Sequence, residues 1–108
     1  FESRVRIMNL IKDAVNNGAN IETGGNIPKK FTKGCWLEPT VLSNVNSKMK
    51  IYNEEIFGPV ACIMSFDKDK EVLNLANDTN YGLASYLFTN SKERIEYFSK
   101  CWIKMVQV

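Results

Sequence analysis

The run VACIMSF, residues 60–66, constrains the fold of this 108-residue chain more than any other segment. It has the length of a β-strand, and it is apolar almost throughout instead of alternating between apolar and polar residues. Such continuous runs are typical of strands covered on both faces, as in α/β proteins whose helices flank a parallel sheet. The run therefore predicts a strand that needs apolar cover on both sides.

The residues before this run predict a long first helix, over residues 2–17. Its apolar residues recur at the i, i+3, i+4 and i+7 spacing of one helical face. They are Ile7, Leu10, Ile11 and Ala14. The pair Asn17-Gly18 predicts the end of this helix, because glycine readily takes the left-handed conformation that commonly closes one.

Two further helices are predicted after the apolar run. Asp67 and Asp69 suit the positive end of a helix dipole, which predicts a helix start at this point. The apolar face of that helix comprises Val72, Leu73, Leu75 and Ala76. Asn90 and Glu93 resemble a capping box at the start of the third helix. Its apolar stripe comprises Ile95, Phe98 and Trp102.

The remaining segments predict strands and turns. Four more segments are predicted to be extended: residues 19–25, 35–45, 83–89 and 104–108. Pro39 has no amide donor, so it marks a sheet edge or a break between two short strands. The pair Gly24-Gly25 predicts a tight turn and is too short for a glycine-rich phosphate loop. Helices that alternate with apolar strands predict a layered α/β fold with a largely parallel sheet and flanking helices.

Composition excludes several classes of function. A hydrophobic content of 44% and a charged content of 24% are those of an ordinary globular domain. The formal charge of +2 is too small to indicate a nucleic acid or membrane-surface partner, and no apolar run approaches the roughly 18 residues of a membrane helix. The chain has no histidine, which argues against a zinc site and excludes a Ser-His-Asp triad. No metal site is therefore predicted.

The three cysteines are Cys35, Cys62 and Cys101. None lies beside a base or at a predicted helix start, the settings that lower a thiol pKa for catalysis. We therefore expect structural thiols, with Cys62 buried in its strand. The wide spacing and odd number argue against a disulfide framework and indicate a reducing compartment. This favours a cytoplasmic location, with the mitochondrial matrix as the alternative.

The stretch YNEEIFGPV, residues 52–60, holds the candidate chemistry. Adjacent acids on a strand point to opposite faces, so Glu54 and Glu55 would not share a proton as a dyad. An acid that faces inward needs hydrogen-bond partners, and sugar hydroxyls would serve. Phe57 lies two residues beyond Glu55 and shares its face in an extended segment. The alternative is an exposed acidic turn before a core strand, the commoner environment for charged residues.

Several stretches taken together resemble the NAD(P)-dependent aldehyde dehydrogenase superfamily. They are DAVNNGANIETGG at 13–25, WLEPTVLSNV at 36–45, EEIFGPV at 54–60 and SFDKDKEVLNLANDTNYGLASYLFT at 65–89. The resemblance implies that residues 1–108 are part of the catalytic domain of a longer enzyme. The chain begins in a helical segment and ends in a strand-like run, so we expect both ends to lie inside a longer sequence.

The resemblance also implies a cofactor and two binding residues. In this family the second acid of the E-E-x-F-G-P motif hydrogen-bonds the ribose on the nicotinamide side of NAD or NADP, and the phenylalanine packs close to the same group. Carried over residue by residue, these are Glu55 and Phe57. No catalytic residue is assigned within this chain, because the family's Gly-Gln-x-Cys and E-L-G-G-K motifs and its phosphate-binding turn are not found in it.

The implied reaction is oxidation of an aldehyde to a carboxylic acid with NAD(P)+, through a cysteine thiohemiacetal formed outside this segment. The chain by itself is then expected to be inactive. The segments GLASYLFT and WLEPTVLSNV favour the succinate-semialdehyde branch of the family, and the betaine-aldehyde branches remain an alternative. The full-length protein is expected to form a homo-oligomer, a dimer or a tetramer.

Two other readings stay open at this point. The chain could be a non-catalytic remnant or interaction module that keeps part of the fold, or it could belong to an acylating relative that transfers the acyl group to coenzyme A. One departure from the family is near the end, where Lys104 in CWIKMVQV stands at the glycine of a G-x-V-x-V pattern.

Overall fold

The computed structural model describes residues 1–31 and 33–102. The chain forms two compact units, Phe1–Ser65 and Phe66–Val108. The first unit contains, in chain order, α1 (Glu2–Asn16), β1 (Asn20–Thr23), β2 (Thr40–Ser43), α2 (Lys50–Asn53) and β3 (Val60–Cys62). The second contains α3 (Asp69–Asn77) and α4 (Lys92–Cys101).

Helix α1 forms where the apolar spacing predicts it. The four residues of the predicted stripe are its buried residues: Ile7, Leu10, Ile11 and Ala14. Gly18 follows the helix with φ +103°, so the predicted left-handed glycine is confirmed. Burial of this one face, more than the intrinsic propensity of its residues, stabilises the helix.

The sheet has the strand order β1-β2-β3. Strand β1 pairs with β2 antiparallel, and β2 pairs with β3 parallel. The parallel pair needs a crossover of a dozen or more residues, which residues 44–59 with α2 provide. The α/β class is therefore confirmed, and the sheet is mixed.

The core of the first unit lies between α1 and this sheet. Its buried residues are Ile7, Leu10, Ile11, Ala14, Ala19, Leu42, Val45, Met49 and Ile51. Val60, Cys62 and Met64 pack against this cluster, whereas Ala61 and Ile63, which alternate with them, are exposed. One face of the apolar run is thus covered within the described residues. Burial at about 25 cal/mol per Å² of apolar surface makes this cluster the main stabilising contribution in the unit.

Helix α2 is an element that the sequence pattern did not predict. It contains four residues, Lys50–Asn53, and its buried residue is Ile51. Four residues form a single turn, which is too short for a repeating apolar stripe to indicate a helix.

At the predicted turn, Gly24-Gly25, the backbone has no regular secondary structure and fits around a buried threonine. Both glycines have positive φ, +73° and +82°. The Thr40 hydroxyl is buried, accepts a hydrogen bond from the Gly25 amide at 2.8 Å and donates to the Glu38 carbonyl at 2.8 Å. A Cβ atom at Gly24 would overlap the carbonyl oxygen of Pro39. The turn therefore serves close backbone packing.

In the second unit α3 begins at Asp69, as predicted, and buries Leu73. Helix α4 buries Phe98. Its predicted cap at Asn90 is wrong, because the N-cap is Ser91, whose hydroxyl accepts a hydrogen bond from the Arg94 amide at 3.3 Å. A cap accepts from the amide two or three residues ahead, so the capping residue is one position later than the Asn90 and Glu93 pair suggested.

The predicted strand at 83–89 is wrong, because these residues have no regular secondary structure. Leu83, Tyr86 and Phe88 are 80%, 79% and 93% exposed. An isolated strand leaves its backbone donors and acceptors without partners, and none of the strands in the described residues pairs with this segment. The predicted strand at 104–108 lies outside the described residues.

No helix within residues 1–31 and 33–102 is both long enough and apolar enough to cross a membrane.

Alanine substitutions at two glycines should separate backbone strain from steric overlap. We expect Gly18→Ala to destabilise by about 1 kcal/mol, because φ is positive there but no atom lies within 4 Å of the added Cβ. Gly24→Ala should lower the free energy of unfolding by roughly 1–3 kcal/mol more, because its added Cβ would overlap the Pro39 carbonyl oxygen. Urea denaturation of the natural protein that carries these residues gives both values. Equal losses would contradict the close packing of this turn.

Candidate functional site

The candidate site is the irregular segment between α2 and β3, residues 54–58, which we call the 54–58 loop. It begins at Glu54, the C-cap of α2, whose amide donates to the Lys50 carbonyl at 3.2 Å. Just beyond it, the Pro59 carbonyl accepts from the Thr40 amide at 2.8 Å. Both ends of the loop are thus held by regular structure.

Phe57 is the unusual residue of this loop. Its φ is +47°, in the left-handed region that a bulky residue rarely adopts, and its side chain is 80% exposed. A backbone of this kind typically costs about 1–3 kcal/mol and persists only where the surroundings enforce it. Strained residues of this type cluster at binding sites, and an exposed ring on such a residue indicates a surface that packs against another group.

Both acids of the loop are exposed, so the expectation that one of them faces inward is wrong. The two-face rule applies to strands, and Glu54 and Glu55 follow a helix turn as irregular backbone. Glu54 lies 3.9 Å from the Arg6 guanidinium. The Glu55 carboxylate has no hydrogen bond or ion pair within the part of the chain that the structure describes, so its oxygens are available to a ligand.

The loop is anchored on α1 by two neighbouring residues. Arg6 donates through Nη1 to the Glu55 carbonyl at 3.4 Å and through Nη2 to the Ile56 carbonyl. Ile7 fills the space beside Gly58, where a Cβ atom would overlap its Cδ1. Ile56 is partly buried against the core cluster. The loop is therefore tied to the rigid first helix, while Glu55 and Phe57 project from it.

The chemistry of these two side chains is compatible with the ribose of a nicotinamide cofactor. A carboxylate accepts hydrogen bonds through both oxygens, which suits the two neighbouring hydroxyls of a ribose. An exposed aromatic ring two residues away offers an apolar surface for a sugar or an attached ring. A hydrogen-bond acceptor beside an apolar surface thus agrees with the group that the sequence resemblance implies.

The three cysteines lie in different environments. Cys62 is half-buried, and burial raises the pKa of its thiol, which keeps it protonated. Cys101 is also half-buried, near the end of α4. Cys35 is exposed in the segment before β2, so the expectation of a buried structural thiol is wrong there.

Metal ligands do not converge among residues 1–31 and 33–102, where no group of three or more Cys, Asp or Glu side chains could hold an ion.

The second unit contains an apolar cavity of about 290 Å³ beside α3 and α4. It is lined by Phe66, Asp69, Val72, Ala76, Tyr86, Leu87, Phe88, Thr89, Arg94, Phe98 and Trp102. Its charged members pair with each other, with Arg94 Nε at 2.9 Å from Asp69 Oδ2. Aromatic rings and one satisfied ion pair provide a packing surface, so this cavity is not the candidate site.

Residues 2–105 match the sequence model of the aldehyde dehydrogenase family. The chain belongs to this family. The resemblance predicted from the sequence is therefore confirmed.

Plant aldehyde dehydrogenases are among the similar curated relatives. The chloroplastic betaine aldehyde dehydrogenase of Beta vulgaris is 46% identical over 95 residues, which cover 88% of this chain and 19% of that protein. The peroxisomal aminoaldehyde dehydrogenase 1 of Pisum sativum is 42% identical over 108 residues, which cover 94% of this chain and 22% of that protein. The chain spans about a fifth of the length of these relatives.

Solved structures of the family agree with the fold. A 3,6-anhydro-L-galactose dehydrogenase in complex with NADP matches with a TM-score of 0.89 at 35% identity, over 99% of this chain and 23% of that one. An aldehyde dehydrogenase of Mycobacterium tuberculosis complexed with NAD+ matches with a TM-score of 0.83 at 34% identity, over 92% of this chain and 20% of that one.

The comparisons give only weak support to the lean toward succinate semialdehyde. A succinate-semialdehyde dehydrogenase of Burkholderia pseudomallei matches with a TM-score of 0.84 at 33% identity, over 94% of this chain and 20% of that one. The more similar curated relatives named above carry other substrates in their names. Those relatives are chloroplastic and peroxisomal, so the cytoplasmic prediction is not confirmed.

A double-mutant cycle tests how the loop is anchored. Gly58→Ala should destabilise the natural protein by about 1–3 kcal/mol, because the new methyl group must displace Ile7 from a packed core. In an Ile7→Val background the overlapping Cδ1 is gone. The loss of unfolding free energy caused by Gly58→Ala should therefore be smaller there, by at least about 0.5 kcal/mol. Denaturant unfolding of the four variants measures this coupling. Strictly additive losses would contradict the contact between Ile7 and Gly58.

Proposed function

We propose that residues 1–108 are part of the catalytic domain of an enzyme that oxidises an aldehyde to a carboxylic acid with NAD or NADP. Within it, the 54–58 loop binds the ribose on the nicotinamide side of the cofactor. The observation that carries the proposal is the pairing, on one anchored loop, of an exposed carboxylate at Glu55 with a strained, exposed ring at Phe57. Family membership supports the reaction class.

The role of each side chain follows from its chemistry. The Glu55 carboxylate accepts hydrogen bonds from the ribose hydroxyls, and the Phe57 ring packs beside the same group and excludes water from it. When bound, the cofactor supplies the acceptor for the hydride. Ribose binding of this kind fixes orientation, and orientation of the reacting groups is a large part of catalysis.

The nucleophile is proposed to lie outside this segment. A catalytic cysteine acts as the thiolate, and burial raises the pKa of Cys62. Cys35 is exposed, and the Lys33-Gly34 pair before it does not match the Gly-Gln-x-Cys pattern of the family. The thiohemiacetal of the proposed reaction would therefore form on a cysteine elsewhere in the whole protein.

For the substrate we favour an aminoaldehyde or betaine aldehyde over succinate semialdehyde. The support is the identity of 46% and 42% to relatives named for those substrates, against 33% to the succinate-semialdehyde dehydrogenase. The whole protein is proposed to assemble as a homo-oligomer, a dimer or a tetramer, as the resemblance implies.

Removal of the Glu55 charge should weaken cofactor binding. We expect Glu55→Gln, and Glu55→Ala likewise, to raise the Kd for NADH or NADPH roughly 10-fold to 100-fold, because a charge-assisted hydrogen bond contributes about 1.5–3 kcal/mol. Phe57→Ala should raise it by a smaller factor. Fluorescence titration of the reduced cofactor into the natural protein measures these values.

Glu54→Gln is the matched comparison for this experiment. Its carboxylate is also exposed and forms one ion pair at 3.9 Å, so its replacement should change the Kd by less than about twofold. An unchanged Kd in Glu55→Gln, or an equal loss in both variants, would contradict the ribose assignment. Absence of cofactor binding by the natural protein itself would favour the non-catalytic remnant.

Substrate preference is testable by steady-state kinetics on the natural protein. We expect kcat/KM for betaine aldehyde or for a short aminoaldehyde to exceed that for succinate semialdehyde by about tenfold or more, since selection between a cationic and an anionic group is expressed in transition-state binding. Assays with and without coenzyme A distinguish the acylating alternative. A preference for succinate semialdehyde would overturn this substrate assignment and leave the cofactor assignment untouched.

A further inference from the structure

We propose that Arg6 is a positioning residue of the cofactor site, which holds the backbone of the 54–58 loop so that Glu55 and Phe57 face the ribose. This inference rests on the function proposed for the loop. Nothing in the sequence pattern pointed to Arg6, because it precedes the buried stripe of α1 and lies about fifty positions before the loop.

The guanidinium of Arg6 reaches oxygen atoms of three consecutive residues. It donates through Nη1 to the Glu55 carbonyl at 3.4 Å and through Nη2 to the Ile56 carbonyl. The Glu54 carboxylate oxygen lies 3.9 Å from Nη1. The two hydrogen bonds therefore come from the two nitrogens of one planar fork and end on adjacent peptide groups.

These hydrogen bonds act at the place where the backbone is least favourable. The two carbonyls belong to the residues directly before Phe57, whose φ is +47°. Without such restraints an aromatic residue would relax out of the left-handed region. Restraining the peptide groups on the N-terminal side of Phe57 keeps its ring in the exposed position that the proposed site requires.

The same geometry leaves the Glu55 side chain available. Arg6 uses the main-chain oxygen of Glu55, and its carboxylate has no partner within the described residues. An ion pair between Arg6 and that carboxylate would compete with the ribose. Because Arg6 contacts the main chain instead, it can hold the loop in place and leave the Glu55 carboxylate for the ribose. Ile7, the next residue, is 4% exposed and sets the position of α1, so the base of Arg6 is rigid.

The identity of the cation matters for this role. Arginine presents its donors in a rigid plane that can serve two acceptors at once, whereas lysine carries one flexible ammonium group. Lysine at this position could hold one carbonyl well, and methionine could hold neither. The three side chains therefore form a graded series of similar length.

The experiment combines binding with a probe of the loop that requires no cofactor. Arg6→Met should raise the Kd for NADH or NADPH about tenfold and should speed chymotrypsin cleavage after Phe57 by at least about fivefold in the cofactor-free natural protein. Arg6→Lys should restore part of both losses. Arg4→Met is the control, since Arg4 lies on the same helix and donates to the Gly34 carbonyl, so both readouts should keep their natural values.

The Glu55→Gln background separates failure of this inference from failure of the proposed function. If Arg6 acts through the loop, Arg6→Met should add little further loss of affinity in that background and should still speed the cleavage. An unchanged Kd in Glu55→Gln alone overturns the proposed function. A normal Kd and a normal cleavage rate in Arg6→Met overturn the positioning role, and so does an equal loss of affinity in both backgrounds.

Discussion

The contact between α1 and the 54–58 loop is the interaction on which the rest of the first unit depends. Ile7 belongs to the buried cluster that joins the helix to the sheet. Its Cδ1 atom occupies the space beside Gly58 that a Cβ atom at position 58 would need. Close packing of this kind transmits position, because a packed interior resists small displacements. The loop is therefore located relative to the helix by core packing.

The chemistry of the site follows from this anchoring. An irregular loop would normally relax away from a conformation as unfavourable as that of Phe57. Here the core and the Arg6 hydrogen bonds restrain it, so stability gained in the core offsets local strain at the surface. In the function proposed above, this restraint would preorganise the acid and the aromatic ring, and preorganisation lowers the entropy lost when a ligand binds.

The two units differ in how much of their apolar surface is covered. In the first, the buried cluster is continuous and one face of β3 packs against it. In the second, α3 and α4 each bury one residue, and Leu83, Tyr86 and Phe88 are largely exposed. Family relatives are about five times longer than this chain. Exposed rings of this size are the kind of surface that a domain normally covers.

The periodic elements could be predicted from the sequence, because a helical stripe or an apolar run records which face is buried. This holds for α1 with its Gly18 end and for the start of α3. The irregular structure of residues 83–89 could not be predicted from the sequence. The strand propensity of apolar residues produces a strand only where a neighbouring strand pairs with its backbone.

The sequence by itself determined which residues are the candidates for cofactor binding, since the acid, the ring and the Gly-Pro pair are local and contiguous. Only the tertiary structure decided how they are presented. The side chains of Glu54 and Glu55 share the exposed surface because α2 ends just before them, and Arg6 reaches the loop because α1 packs beside it. Such contacts join residues about fifty positions apart, and no local pattern of residue types records a pairing at that distance.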